Sequence, residues 1–189
     1  MESLSADQAL DRLKQGHERF RTGHATGAPR VKSRHEELVL GQRPFAIILG
    51  CSDSRAASEI IFDTRLGDLF IVRVAGNIAN QSSIASVEYA LVHLGTKLIV
   101  VMSHQSCGAV AAAIQGGDAG KNLNQLLGYI GPALDPQEPD PDVIARRHGR
   151  ISADRLISDS DIIRAATEND GVKIVTSFLR LTSAEVEFD

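Results

Sequence analysis

Tryptophan is absent from this 189-residue chain, cysteine occurs only twice, and aromatic side chains make up 4% of it. Two cysteines without a Cys-x-x-Cys pair exclude a disulfide scaffold and thioredoxin-like redox chemistry. No apolar run approaches the roughly 20 residues of a membrane span, so no membrane partner is expected. The first residues, Met1-Glu2-Ser3-Leu4-Ser5-Ala6-Asp7, lack the basic and apolar regions of a signal peptide. The cytoplasm is therefore the expected compartment, where a reducing environment disfavours a disulfide between the two thiols. A net charge of −4 gives no electrostatic reason to expect nucleic acid. Apolar residues nevertheless reach 43%, and the length suits one domain with a sizeable core over 1–189. Within it, 1–41 reads as an N-terminal helical arm, 42–115 as the core that carries the site, and 116–189 as a loop, a helix and the final strands.

What is present centres on those two cysteines. Pro44-Phe45-Ala46-Ile47-Ile48-Leu49-Gly50 runs into Cys51-Ser52-Asp53-Ser54-Arg55, and Lys97-Leu98-Ile99-Val100-Val101-Met102-Ser103 runs into His104-Gln105-Ser106-Cys107-Gly108. Short β-branched runs of this kind read as strands buried on both faces of a parallel sheet. Ligands of open α/β sheets sit at the ends of such strands. If the two strands are neighbours, two thiolates and an imidazole meet beside a carboxylate and a guanidinium. Three soft ligands with one open position is the arrangement of a catalytic zinc site. Each residue alone has an ordinary reading: buried thiols, a structural histidine, a surface ion pair.

The rest of the chain alternates helix and strand. Residues 4–22 read as an amphipathic helix capped by Ser5, with Ala9, Leu10, Leu13 and Phe20 at helical spacing. Ala25 to Glu36 reads as an extended arm that needs a surface to cover. Strands are expected at 45–50, 69–74, 98–102 and 171–179, with an edge strand at 185–188. Helices are expected at 83–93, 107–115, 123–130 and 153–168, and Pro132 to Pro141 reads as a surface loop. This alternation predicts an α/β fold with a mostly parallel sheet flanked by helices. Gly116-Gly117-Asp118-Ala119-Gly120-Lys121 fails the phosphate-loop pattern, with Gln115 and Asn122 at its diagnostic positions, and reads as a solvated turn.

Cys51-Ser52-Asp53-Ser54-Arg55 and His104-x-x-Cys107 resemble the two zinc-binding motifs of the β-class carbonic anhydrases. The resemblance extends through Glu59-Ile60-Ile61-Phe62-Asp63, Gly67 to Asn77, Glu88-Tyr89-Ala90 and Cys107-Gly108-Ala109-Val110, and it is strong over about 42–111. It implies zinc held by Cys51, His104 and Cys107, with Asp53 and Arg55 as the catalytic dyad. It also implies a substrate pocket of Gln42, Phe70, Ala75, Tyr89 and Gly108, to which Gln42 and Tyr89 come from a partner subunit. The implied activity is hydration of CO2 to bicarbonate, in a homodimer or tetramer, on a parallel sheet with an antiparallel C-terminal edge strand. The same site also suits a carbonyl sulfide or carbon disulfide hydrolase, or a non-catalytic zinc-binding homologue.

The chain departs from the family pattern at several positions. Ser103 stands where glycine usually precedes the histidine, and Ala56 and Ala57 replace a common Val-Pro. Ile48 occupies the tryptophan position of a non-catalytic bicarbonate site found in one branch. Arg73 matches that site's arginine, but without the tryptophan the site is expected to be missing. Phe178 to Leu181 replaces a tyrosine-containing stretch. None of these positions is an implied metal ligand.

Overall fold

The computed structural model describes residues 4–26 and 32–189. Five strands form one sheet: β1 (Ala46–Gly50), β2 (Leu69–Arg73), β3 (Leu98–His104), β4 (Lys173–Arg180) and β5 (Glu185–Phe188). Their order across the sheet is β2-β1-β3-β4-β5, parallel throughout except for antiparallel β5. The expected fold class and edge strand are therefore present.

The helices are α1 (Ala6–Arg21), α2 (Lys32–Leu38), α3 (Ser58–Ile61), α4 (Gln81–Leu94), α5 (Gly108–Gln115), α6 (Lys121–Gly128), α7 (Pro141–Ser158) and α8 (Asp161–Asn169). Ser5 does cap α1, its hydroxyl accepting from the Gln8 amide while Gln8 reaches back to the Ser5 N–H. Two expectations need correction. The extended arm drawn over Ala25 to Glu36 contains the start of α2; residues 27–31 of it lie outside the described set. The single helix expected at 153–168 is two. Asp140 caps α7 with Pro141 in its first turn, and Ser160 caps α8 after a break at Asp159.

Side chains alternate across the strands and divide the core into two layers. Ala46, Ile48, Leu98, Val100 and Met102 face α1 residues Ala6, Ala9 and Leu13 together with Phe62. Ile47, Leu49, Ile99 and Val101 face α4, α7 and α8 through Val87, Ala90, Leu156 and Ile163. Each fully buried aliphatic side chain here contributes about 1.5–3 kcal/mol. A third cluster, including Ile78, Val110, Ile130, Ile144 and Phe178, gathers around Cys51 and Cys107.

The chain leaves β1 toward β2 on one side and leaves β3 toward β4 on the other. The boundary between β1 and β3 is therefore the switch point of the sheet, and its carboxyl ends open a crevice. Cys51 follows the last residue of β1, and His104 is the last residue of β3.

Candidate metal centre

Gly50 pairs in register with Met102, so Cys51 and His104 emerge side by side. After His104 the chain turns at Ser106, whose φ of 53° lies in the left-handed region. That turn brings Cys107 back as the residue capping α5. The ligand atoms of Cys51, His104 and Cys107 all lie within 4.8 Å of one another, and all three residues are buried. Neither cysteine is in a disulfide.

Three observations test whether this group suits a metal. His104 is fully buried, and its Nδ1 donates to the Gln105 carbonyl at 2.9 Å. That tautomer leaves the Nε2 lone pair facing the two sulfurs, with no hydrogen-bond partner among the described residues. A buried acceptor left unsatisfied costs about 1–3 kcal/mol. The thiols are linked as well. A hydrogen bond from Cys107, with the neighbouring His104 ring and hydrogen bonds from the Asp53 and Gly76 amides, pushes Cys51 down to about 4 against the effect of burial. The same bond, with burial, pushes Cys107 up. Burial lowers His104, but the neighbouring Cys51 sulfur and the Gln105 carbonyl outweigh it and the imidazole is raised. Two sulfurs that cannot both be ionised beside an idle imidazole nitrogen are the donor set of a soft or borderline divalent cation. The residues fit the metal.

Asp53 and Arg55 form the rim. Arg55 meets the carboxylate at two points, Nε to Oδ1 at 2.9 Å and Nη2 to Oδ2 at 2.7 Å. This guanidinium, with the Arg55 amide on Oδ1, holds Asp53 well below the usual carboxylate range despite partial burial. Asp53 Oδ2 stands 3.9 Å from His104 Nε2, so the carboxylate borders the cluster without entering it.

The motifs did not reveal the supports of this loop. Arg73 donates to the carbonyls of Cys51 at 2.8 Å and of Asp53 at 2.6 Å, clamping the ligand turn. Its signal was a charged residue closing an otherwise apolar strand. The Asp142 carboxylate accepts from the Ser106 amide at 2.8 Å and ties α7 to the Cys107 turn. Both cysteine sulfur and loop are thus held by groups distant in sequence.

Of the pocket residues, the structure brings two to the centre. Ala75 opens the turn Ala75–Asn77, whose Gly76 amide reaches Cys51 Sγ at 3.3 Å, and Gly108 opens α5 directly after Cys107. Gln42, Phe70 and Tyr89 do not approach it within one chain. Gln42 is exposed before the amino end of β1, opposite Cys51. Phe70 pairs with Ile47, roughly 13 Å along the strand from Cys51. Tyr89 is 48% exposed and packs its ring near Phe70 and His93, at centroid distances of 6.2 and 4.9 Å. A basic cavity of about 610 Å³ beside Gln42, Arg12, Arg65 and Lys97 lies at the amino ends of the strands and contains no ligand residue.

Comparison with known proteins agrees with this architecture. The family profile described as carbonic anhydrase matches residues 46–186. Over 145 residues the chain is 41% identical to carbonic anhydrase 2 of Mycobacterium tuberculosis, covering 76% of this chain and 68% of that one. Over 109 residues it is 44% identical to the carbonic anhydrase of Mycolicibacterium smegmatis, covering 58% and 53%. The solved β-carbonic anhydrase CcaA superposes with a TM-score of 0.75 at 26% identity, over 95% of this chain and 94% of that one. A tetrameric β-carbonic anhydrase of Sordaria macrospora superposes with a TM-score of 0.74 at 22% identity, over 96% and 94%. The chain belongs to the carbonic anhydrase family, in its β class.

Proposed function

We propose that this protein catalyses the reversible hydration of CO2 to bicarbonate and a proton, with zinc held by Cys51, His104 and Cys107. The observation that carries the proposal is the buried sulfur–sulfur–imidazole cluster at the switch point, bordered by the Arg55-bound carboxylate of Asp53. Bound zinc supplies Lewis acidity that brings the pKa of a water from about 15.7 toward about 7. Ionised Asp53 can only accept hydrogen bonds. It would accept a hydrogen bond from the attacking oxygen and so aim a lone pair at the carbon of CO2. Arg55 keeps that carboxylate ionised and turned away from the cluster. Because two thiolates cancel the formal charge of a divalent cation, Arg55 also restores positive potential at the site.

Gln42, Phe70 and Tyr89 serve a second copy in this reading, which makes the working unit a homodimer or a multiple of one. Their exposure or edge position on one chain supports it. Ligation by two reduced thiols suits the cytoplasm.

Metal analysis and stopped-flow CO2 hydration at pH 8.5 test the proposal. The expected result is one zinc per chain and saturable hydration that Cys51→Ala abolishes. Zinc-loaded protein with no hydration activity overturns it, and sulfide release from carbonyl sulfide in the same preparation redirects the substrate.

A further inference from the structure

The turn that faces Cys51 is held by groups from two other elements. Gly76 has φ 71° and Asn77 has φ 41°, so two successive residues stand in the left-handed region. Side chains resist this conformation, and it persists only where the surroundings over-determine it. Packing also crowds position 76, where a Cβ would meet Ala109 Cβ and Ile130 Cδ1 at 3.1 Å. The product of this turn is the Gly76 N–H, which points at Cys51 Sγ from 3.3 Å.

Two buried side chains pin it. His148, on α7 and 1% exposed, places Nε2 2.7 Å from the Gly76 carbonyl. A carbonyl only accepts, so Nε2 carries the proton and donates. Nδ1 is buried without a partner among the described residues, and burial lowers the imidazole's pKa, so His148 is a neutral donor. On the other side the Asn77 amide nitrogen donates to Ser103 Oγ at 3.3 Å. Helix α7 comes this close because Gly149 follows His148: a Cβ at 149 would lie 2.4 Å from Ser103 Oγ.

We infer that His148 is a positioning residue of the metal centre, holding the Gly76 carbonyl so that the Gly76 N–H stays against the Cys51 sulfur. An N–H on a ligating sulfur fixes its orientation and withdraws part of its electron density, and loss of such outer contacts costs about 10- to 100-fold in metal affinity. The inference rests on the metal-site reading above.

The test compares zinc affinity, by chelator competition, and the sulfur-to-cobalt charge-transfer absorption of cobalt-loaded protein. His148→Leu removes the donor, His148→Gln keeps an amide N–H, and Leu156→Val trims a buried side chain of the same helix in the layer against α4 and α8. Expected are a 10- to 100-fold loss of zinc affinity and a shifted charge-transfer band in His148→Leu, near-complete recovery in His148→Gln, and wild-type values in Leu156→Val. If His148→Leu does not fold, His148→Asn, too short to reach the carbonyl, takes its place against His148→Gln. Wild-type affinity and spectrum in the donor-less variant overturn the inference, as does an equal loss in Leu156→Val. Wild-type protein that binds no metal overturns the metal-site reading itself, and this inference with it.

Discussion

Arg55 grips Asp53 with two nitrogens, Nε on Oδ1 and Nη2 on Oδ2, while a third contact, Nη2 to the Ser106 carbonyl at 3.3 Å, ties the same guanidinium to the Cys107 turn. One side chain thus joins the loops that carry all three sulfur and nitrogen ligands, and it fixes the direction of the carboxylate. Asp53→Asn keeps the shape but offers an N–H where an acceptor is needed. CO2 hydration is expected to fall by about 100-fold or more, the scale of losing one preorganised hydrogen bond at the reacting atoms, with zinc content unchanged. Arg55→Lys keeps the charge but not the planar two-point contact, so an intermediate loss is expected. Stopped-flow rates beside metal analysis of each variant check both.

Metal removal is the second test. A ligand that binds only the folded state at 100 times its dissociation constant adds about 2.7 kcal/mol, which for a chain of this size is roughly 5–10 °C in Tm. Chelator-treated protein is expected to melt lower by about that much, and added zinc should restore it. The sign of the pH dependence follows from Cys107, whose thiol is pushed up by burial and by the bond to Cys51. Its proton must leave for the metal to bind, so protons compete and the gain in Tm is expected to shrink as pH falls. Differential scanning calorimetry with and without chelator at several pH values reads this directly.

The metal cluster was legible because its information is local. Cys51, Asp53 and Arg55 lie within five residues after one buried run, and His104 and Cys107 are three apart after another. Apolar runs of five to seven residues located the strands that bring them together. Helix α7 was not legible before residue 153, and its composition explains why. Its inward residues include Ala145, His148, Gly149 and Ser152, small or polar groups that give no apolar stripe. Arg146 covers the Phe178 ring at 3.7 Å instead of pointing to water. The Asp140-Pro141 cap was a visible signal, but the proline-rich approach to it read as loop. What His148, Asp142 and Arg73 do depends on contacts 20 to 72 residues away in sequence, which no window of the sequence displays. Gln42, Phe70 and Tyr89 sit apart from the cluster for a different reason: their proposed role belongs to an assembly of two chains.

The N-terminal helix supplies a third test. Asp63 has a side chain 1% exposed that accepts from Arg19 Nε at 2.6 Å and from the Thr26 amide at 3.0 Å. Burial pushes its pKa up, but these hydrogen bonds outweigh burial and lower it. Such a carboxylate stabilises the fold above its unfolded pKa, near 3.9, and loses that contribution as pH falls through the lower folded value. Arg19→Met strands the charge, and about 1–3 kcal/mol of stability is expected to go at pH 7. The deficit should narrow toward acid pH, because without Arg19 the buried carboxylate takes up a proton more readily than it does in the wild type. Urea denaturation of the two proteins at pH 7 and pH 4 measures the difference.

The contact between Gly149 and Ser103 gives a prediction in which two changes repair each other. A Cβ at 149 would lie 2.4 Å from Ser103 Oγ but 3.5 Å from Ser103 Cβ, so the conflict is with the hydroxyl alone. Gly149→Ala is expected to destabilise by about 1–3 kcal/mol, as overpacking does, and to force α7 away from the Gly76 turn. Ser103→Ala removes the hydroxyl and leaves Asn77 Nδ2 without that acceptor, a smaller loss of about 1 kcal/mol. Together the two alanines meet at an ordinary van der Waals distance. The double variant should therefore be more stable than the sum of the single losses allows, with a coupling of roughly 0.5–3 kcal/mol. Chemical denaturation of the four proteins closes the cycle. Simple additivity would mean that α7 does not rest on β3 at this point.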